Sequence, residues 1–208
     1  MSGSRRVFQT RSGISGAAIR SSLWRKAISK RAPLTARLKR IRLVLMDVDG
    51  VLTDGKLYHC FDGRDRFIEL KGVDTQDGIA LAWAVKAGIE TGIISGRRSR
   101  GIGARAKILS MKHIVQGTVE KIPAFERILK KTGLTADQTA FIGDDLTDAP
   151  VMLRAGWAVA PANARPEVKR IADTVTKARG GSGAVREALE SLLRAQSHWN
   201  PILKRYGL

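Results

Sequence analysis

The sequence predicts an α/β protein built on a doubly wound parallel sheet. Short apolar runs alternate with segments of helical spacing along most of the chain, and the connections between them are short. One of these runs is followed directly by two carboxylates and by glycines. Such alternation is typical of parallel strands joined by helices in a Rossmann-like arrangement. One domain suffices for most of the 208 residues.

The first strand is predicted over 43–46, where the uninterrupted apolar run is typical of a strand buried on both faces. The chain leaves it at Asp47, and a second carboxylate follows at Asp49. Open α/β sheets bind ligands at this end of their strands. Two carboxylates so close together need a cation or a shared proton, and Mg²⁺ suits such oxygen ligands. The four residues 47–50, taken alone, also fit a simple turn.

A small β-hairpin is predicted after the first strand. Two Asp-Gly pairs occur at 54–55 and 62–63, and the segments 56–60 and 64–70 flank the second pair with partial alternation. Because an isolated two-stranded ribbon is only marginally stable, we expect the hairpin to pack on another surface, such as a neighbouring subunit.

The rest of the chain continues the alternation. Segment 75–86 has helical spacing and closes at Gly88. Strand 89–94 ends in Ser95-Gly96-Arg97-Arg98, which could bind phosphate through a hydroxyl, backbone N–H groups and guanidinium groups. Further helices are predicted over 99–111, after Lys121, and over 150–155, 166–172 and 184 to about 197; further strands are predicted over 113–116, 139–142, 157–160 and 174–176.

Charge is distributed unevenly. Residues 1–40 hold 11 of the 37 Lys and Arg residues and none of the 19 Asp and Glu residues. This segment fits a disordered basic arm, an amphipathic surface helix over 17–32, a transit-peptide-like segment or a mis-assigned start. We expect a basic, disordered extension over 1–40, the main domain over 41–197 and a C-terminal tail over 198–208.

Cysteine content and hydropathy indicate the cellular compartment. A single cysteine, Cys60, excludes an internal disulfide framework and fits a reducing compartment. No uncharged apolar run reaches the roughly 18 residues needed to cross a bilayer. The sequence therefore predicts a cytoplasmic protein without a transmembrane segment.

Four predicted strand ends carry, in chain order, a carboxylate pair, a hydroxyl with arginines, a lysine and a second acidic cluster. In a doubly wound sheet these ends converge on one crevice. The spacing resembles that of the haloacid dehalogenase superfamily of phosphatases over residues 41 to about 195. The four matching motifs are Asp47-x-Asp49-Gly-x-Leu-Thr, Ser95, Lys121 and Gly143-Asp144-Asp145-x-x-Asp148.

A closer resemblance is to the 3-deoxy-D-manno-octulosonate 8-phosphate phosphatases and their nine-carbon ulosonate relatives. It rests on VDGVLTDGKLY, ISGRRS, VQGTVEK, GDDLTDAPVM and GGSGAVRE. Members of this family lack a large cap domain, carry a short hairpin after the first motif and form tetramers whose neighbours help to close each active site. The chain departs from the family pattern at Ser95, where threonine is usual, at Gln76, where arginine is common, and at Ser182 in the glycine cluster over 180–183.

The resemblance implies a Mg²⁺-dependent phosphomonoesterase that acts on 3-deoxy-D-manno-octulosonate 8-phosphate, an intermediate on the way to lipopolysaccharide sugar. Asp47 would be the nucleophile that forms an aspartyl-phosphate. Asp49 would protonate the leaving alkoxide and then activate water. Ser95 and Lys121 would hold the transferred phosphoryl oxygens.

The same resemblance implies a ligand set for Mg²⁺ formed by Asp47, Asp144 and the backbone carbonyl of Asp49. Asp145 and Asp148 would orient these ligands and the lysine of the third motif.

Arginines are the candidates for recognising the sugar acid. A planar guanidinium matches a carboxylate better than an ammonium does. Arg97 and Arg98, next to Gly96, and Arg186 after the glycine cluster are therefore candidate substrate-binding residues, although each could equally be a surface arginine.

Two alternatives remain open from the sequence. The substrate could be a nine-carbon ulosonate 9-phosphate or a broader set of sugar phosphates. The chain could also be a non-catalytic module whose basic arm contacts membrane or nucleic acid, but the arm lacks an aromatic stacking platform. The predicted partners are thus a phosphorylated sugar acid and further copies of the chain in a homotetramer, without specific nucleic acid.

Overall fold

The computed structural model describes residues 32–208, of which Leu34–Leu208 form one compact unit. The predictions for residues 1–31, including most of the amphipathic segment 17–32, lie outside the described residues. Within the described part, no helix is both long and apolar enough to span a membrane.

Six parallel strands form the central sheet, in the spatial order β5-β4-β1-β6-β7-β8. They are β1 (Leu43–Met46), β4 (Glu90–Ser95), β5 (His113–Gln116), β6 (Thr139–Ile142), β7 (Trp157–Ala160) and β8 (Thr174–Val175). The described helices are α1 (Leu34–Leu38), α2 (Thr75–Lys86), α3 (Arg100–Ile108), α4 (Lys121–Thr132), α5 (Ala149–Met152), α6 (Pro166–Ile171), α7 (Ala184–Ala195) and α8 (Trp199–Arg205), and a 3₁₀ turn, Ala136–Gln138, precedes β6.

Strand β1 lies at the centre of the sheet and is buried on both faces. Successive side chains of a strand point to opposite faces. Leu43 and Leu45 pack with the core under α4, α5 and α6, whereas Val44 and Met46 pack with the core under α2, α3 and α7. All four residues are fully buried, which confirms the predicted doubly wound, Rossmann-like sheet.

The predicted hairpin is present as β2 (Tyr58–Phe61) and β3 (Phe67–Leu70), an antiparallel pair outside the central sheet. Its turn is longer than the Asp-Gly pair predicts. One oxygen of Asp62 accepts the backbone N–H groups of both Arg64 and Arg66, each at 2.9 Å. The described residues contain no large cap domain, so this part of the fold prediction is confirmed.

The compact unit begins at Leu34, not at residue 41 as the sequence predicts. Leu38 of α1 is buried in the core. The guanidinium of Arg37 donates to the carbonyl of Gly156 and to Asp173, both at 2.8 Å. These contacts attach α1 to the rest of the compact unit, although composition alone assigns its residues to the basic extension.

The C-terminal residues are also packed, although the sequence predicts a tail there. Helix α8 covers 199–205, and the Trp199 ring lies 5.7 Å from that of Trp83 on α2. The burial of Trp199 stabilises α8 against the domain. Elsewhere the differences are small: α5 ends at Met152 instead of Ala155, and α3 covers 100–108 instead of 99–111, with Ser99 as its N-cap and Leu109 as its C-cap.

Asp77, in the first turn of α2, joins two helix N-termini. Its side chain is buried and accepts the backbone N–H of Arg186, in the first turn of α7, at 2.7 Å. Burial raises the pKa of Asp77 from 3.8 to about 6, and the charge of Asp74 adds to this rise, while the Arg186 N–H opposes it. The carboxyl therefore retains its proton to a higher pH in the folded chain than in the unfolded chain.

The Asp77 contribution to stability should be complete below pH 3.8 and should be lost as the pH rises to about 6. Asparagine keeps a neutral acceptor, so Asp77→Asn should flatten this dependence and stabilise the protein at neutral pH by on the order of 1 kcal/mol. Urea unfolding from about pH 4 to about pH 7 measures the effect. The exposed Asp65→Asn is the control, and equal pH slopes for wild type and Asp77→Asn would contradict the prediction.

Candidate active site

The side chains that follow neighbouring strands meet at one edge of the sheet. Asp47 follows β1, Asp148 lies beyond β6, and Lys121 begins α4 after β5. The Lys121 ammonium lies 2.9 Å from an oxygen of Asp47 and 2.6 Å from an oxygen of Asp148, and its side chain is 2% exposed. The structure thus brings together the first, third and fourth motifs.

Asp148 organises the loop after β6. Its Oδ1 accepts from Lys121, and its Oδ2 accepts the backbone N–H groups of Asp144 at 2.9 Å and Asp145 at 3.1 Å. A Cβ on Gly143 would fall 2.4 Å from the Asp148 Cβ, so a glycine is needed there. Both oxygens of Asp148 are thus engaged within the protein.

Three carboxylates offer a potential metal site. Asp47, Asp144 and Asp148 each place one oxygen within 4.8 Å of the others. Asp148 is already engaged, whereas Oδ1 of Asp144 is buried and accepts no hydrogen bond from the described residues. Asp47 and Asp144 are therefore the members of this group with oxygens available to a hard cation such as Mg²⁺.

The charge balance of the site also favours a cation. Burial raises the pKa of Asp47 to about 6, and Asp148 adds to the rise while Lys121 opposes it. Burial, followed by the charges of Asp148, Asp47 and Asp145, raises the pKa of Asp144 to about 7. Burial alone would lower the pKa of Lys121, but Asp148 and Asp47 raise it. One lysine does not balance these carboxylates, and a divalent cation would.

The glycine cluster packs against the loop after β1. Gly50 has φ of 90°, and a Cβ there would lie 2.1 Å from Oδ2 of Asp144. Asn163, which the sequence did not indicate, donates to the Gly50 carbonyl at 2.8 Å and accepts the Gly180 N–H at 2.6 Å. A Cβ on Gly180 would lie 1.9 Å from the Gly50 carbonyl oxygen. The position of Asn163 just after β7 is the one signal that could have identified it.

Asp49 contacts the hairpin. Its Oδ1 lies 2.5 Å from the Lys71 ammonium, and its Oδ2 lies 3.9 Å from Nε of Arg97. Glu69 lies 3.6 Å from Lys71 and accepts from Arg97 at 2.8 Å. The sequence did not indicate that Glu69 and Lys71 belong to the site. Residues two apart in an extended segment share a face, and this spacing is the signal that could have grouped them.

Ser95 ends β4, the strand beside β1, and the loop after it reaches Asp49 through Arg97. Ser95 is buried, and its hydroxyl accepts the Arg97 N–H at 3.3 Å. Gly96 is half-buried, and Arg98 is exposed and makes no hydrogen bond or ion pair with the described residues. The Arg98 side chain passes over Gly117. A Cβ on residue 117 would lie 2.4 Å from Nε of Arg98. Of the two adjacent arginines, Arg98 is the one available to a ligand.

Two predicted site residues make other contacts. Asp145 is exposed, accepts the N–H of Leu146 at 2.7 Å and influences Asp144 through its charge. The Arg186 guanidinium lies 4.3 Å from the centre of the Trp83 ring and pairs with Glu190. These contacts hold Arg186 between helices and do not support its predicted role in binding substrate.

Comparisons with known proteins identify the family of this chain. A family model for haloacid dehalogenase-like hydrolases matches residues 106–189. The chain is 41% identical to the 3-deoxy-D-manno-octulosonate 8-phosphate phosphatase KdsC of Escherichia coli K12 over 165 residues, which are 79% of this chain and 86% of that protein.

Two solved structures are similar to this fold. One is the 3-deoxy-D-manno-octulosonate 8-phosphate phosphatase of Moraxella catarrhalis in complex with a magnesium ion, a phosphate ion and a KDO molecule. It is 35% identical with a TM-score of 0.78, and the match covers 83% of this chain and 97% of that one. The other is the cobalt-bound phosphatase from Haemophilus influenzae, at 36% identity and a TM-score of 0.72, covering 78% and 93%.

Proposed function

Because this chain belongs to the 3-deoxy-D-manno-octulosonate 8-phosphate phosphatases of the haloacid dehalogenase-like hydrolases, we propose that it hydrolyses 3-deoxy-D-manno-octulosonate 8-phosphate to the free sugar acid and phosphate. The observation that carries this proposal is the group formed by the buried Asp47, Lys121 and Asp148 and the half-buried Asp144, which follow β1, β5 and β6. It combines a nucleophile, a cation and metal ligands in one crevice.

Mg²⁺ is the proposed cofactor. Asp47, Asp144 and the backbone carbonyl of Asp49 would hold it, and the buried Asp144 Oδ1, which accepts no hydrogen bond from residues 32–208, supports this assignment. When bound, the ion supplies charge neutralisation and orientation for the phosphoryl oxygens. The two N–H bonds to Asp148 fix the loop that carries Asp144.

In the first half-reaction, a carboxylate oxygen of Asp47 attacks phosphorus, and the bond between phosphorus and the sugar oxygen breaks. Asp49 donates its proton to the departing alkoxide. Lys121 and the Ser95 hydroxyl contact the transferred phosphoryl oxygens, and the ammonium offsets their negative charge. An aspartyl-phosphate on Asp47 and the free sugar acid are the products of this step.

In the second half-reaction, Asp49 is ionised and removes a proton from water. The water oxygen attacks phosphorus, and the acyl-phosphate bond to Asp47 breaks. Inorganic phosphate leaves, Asp47 is restored as a carboxylate and Asp49 is protonated again. The protons and bonds therefore balance over the cycle.

Arg98 is the proposed partner of the substrate carboxylate. Arg97 is paired with Glu69, whereas Arg98 has no partner among the described residues. A guanidinium can bind a carboxylate through two hydrogen bonds. Arg98→Ala should therefore raise KM for the sugar acid phosphate and leave KM for a phosphate ester without a carboxylate unchanged. The exposed Arg127→Ala is the control.

Phosphate release with Mg²⁺ from a substrate panel tests the function directly. The panel contains 3-deoxy-D-manno-octulosonate 8-phosphate, a nine-carbon ulosonate 9-phosphate and simple hexose phosphates. We expect a strong preference for the eight-carbon acid. Preference for the nine-carbon acid or equal turnover of all would retain the chemistry and reject this substrate, and no turnover of any would favour the binding-module alternative.

A homotetramer is the proposed assembly. The hairpin exposes large apolar side chains on both of its faces, Tyr58 and Leu70 on one and Phe61 and Phe67 on the other, which neighbouring copies could cover. Light scattering should give the mass of four chains, and a monomeric mass would contradict the proposal. We also propose a cytoplasmic location, which the exposed free thiol of Cys60 supports.

A further inference from the structure

Lys71, whose side chain is almost completely buried, contacts a carboxylate of the site and has no role in the proposed chemistry. It follows β3 at the base of the hairpin, and its side chain is only 3% exposed. Its ammonium lies 2.5 Å from Oδ1 of Asp49 and 3.6 Å from Oε1 of Glu69. Burying an ammonium costs hydration and side-chain freedom. The carboxylates of Asp49 and Glu69 offset this cost for Lys71.

Asp49 receives cations from two separate parts of the chain. Lys71 comes from the hairpin, and Arg97, from the loop after β4, lies 3.9 Å from the other oxygen. Glu69 contacts both cations, so each contact limits the movement of the others. A carboxylate held at both oxygens has a restricted side-chain orientation.

The orientation of Asp49 matters because an acid or base must lie within hydrogen-bond reach of the proton it transfers. A misplacement of about 1 Å can reduce a rate by about 100-fold. Lys71 is the closer of the two cations and is almost completely buried, whereas the side chain of Arg97 is 52% exposed. Lys71 is therefore the stronger determinant of where the Asp49 carboxyl lies.

We propose that Lys71 is a positioning residue that holds the Asp49 carboxyl in place for proton transfer and so connects the hairpin to catalysis. This inference rests on the proposed function, because it requires Asp49 to act on the leaving group. Lys71 acts through Asp49 and does not itself contact the substrate.

The leaving group distinguishes positioning from general structural support. A sugar alkoxide is strongly basic and needs a proton as it departs, whereas the phenolate of p-nitrophenyl phosphate departs without one. A misplaced Asp49 should therefore slow the sugar phosphate and spare formation of the phospho-enzyme from the aryl phosphate. A disrupted site should slow both.

The experiment measures single-turnover phosphoryl transfer from both substrates. We expect Lys71→Met to lower the rate for the sugar phosphate by about 10- to 100-fold and to leave the rate for p-nitrophenyl phosphate close to wild type. Lys71→Arg should recover part of the loss. Lys56→Met is the matched control, because Lys56 is an exposed lysine beside the same hairpin.

A double-mutant comparison tests whether Lys71 acts through Asp49. Adding Lys71→Met to Asp49→Asn should cause no further loss with the sugar phosphate. Equal losses for both substrates, no loss in Lys71→Met, or fully additive losses would overturn the positioning role. Thermal unfolding monitors folding, and Lys71→Gln replaces Lys71→Met in the same comparison if the methionine variant does not fold.

The two proposals fail differently. A fully active Asp49→Asn would remove the acid role of Asp49 and the Lys71 inference with it. An impaired Asp49→Asn together with a fully active Lys71→Met would overturn the Lys71 inference alone and leave the proposed function standing.

Discussion

Replacement of Asp47 by asparagine is expected to lower the phosphatase rate by at least about 10³-fold. The amide keeps the shape of the side chain but is not a nucleophile toward phosphorus. The fold should be retained, because burial and the charge of Asp148 both raise the pKa of Asp47 and so disfavour its ionised form. The neutral amide does not carry that charge. Phosphate release under saturating Mg²⁺ gives the rate, and circular dichroism checks the fold.

The matched control for this prediction is Asp145→Asn. Asp145 lies in the same acidic region, but it is exposed and its side chain bonds to the backbone of its own loop. We expect this variant to retain most of the activity. Trapping of a phosphorylated wild-type chain, seen by mass spectrometry and absent from Asp47→Asn, would support the assignment. Full turnover by folded Asp47→Asn would exclude Asp47 as the nucleophile.

Lys121→Met should impair both stability and activity. Removing one partner of a buried ion pair costs about 3–5 kcal/mol, because the remaining charge is left uncompensated. Here two carboxylates lose their cation, and Asp148 is fully buried. The transferred phosphoryl group also loses a positive charge, so we expect at least about 100-fold slower phosphate release.

The stability loss in Lys121→Met should depend on pH. Lys121 lowers the pKa of Asp47, so the variant should have a still higher Asp47 pKa. A raised carboxyl pKa contributes stability at low pH that is lost as the pH rises through the folded value. Thermal unfolding of the metal-free protein should therefore show a larger deficit at about pH 8 than at about pH 5. Lys130→Met, on an exposed position of the same helix, is the control, and equal deficits for both variants would contradict the prediction.

The order of elements and the main candidate residues were predictable because they depend on local sequence. The apolar run of β1 and the glycine after α2 indicate buried strands and helix ends without knowledge of their neighbours. Parallel strands place their carboxyl ends at one edge, so Asp47, Lys121 and Asp144 could be expected to meet. The resemblance to a known family supplied their expected roles.

Other contacts depended on the tertiary structure, because they join residues far apart in the chain. Arg186 follows the glycine cluster in sequence, but the packing of α2 and α7 places its guanidinium on Trp83. Asn163 connects Gly50 to Gly180 only because the loops after β1 and β7 meet. Composition likewise could not indicate that α1 and α8 pack on the domain, since their apolar partners lie elsewhere.

The sequence by itself determined the alternation of strands and helices and the residue types at the strand ends, because both follow from local periodicity and chain connectivity. Only the tertiary structure decided that Asp148 is engaged on both oxygens while Oδ1 of Asp144 accepts no hydrogen bond from the described part of the chain. It also decided that Lys71 contacts Asp49, since the path of the hairpin sets that distance. Burial and partner distance govern the electrostatics of these groups, and neither is a property of a residue's place in the chain.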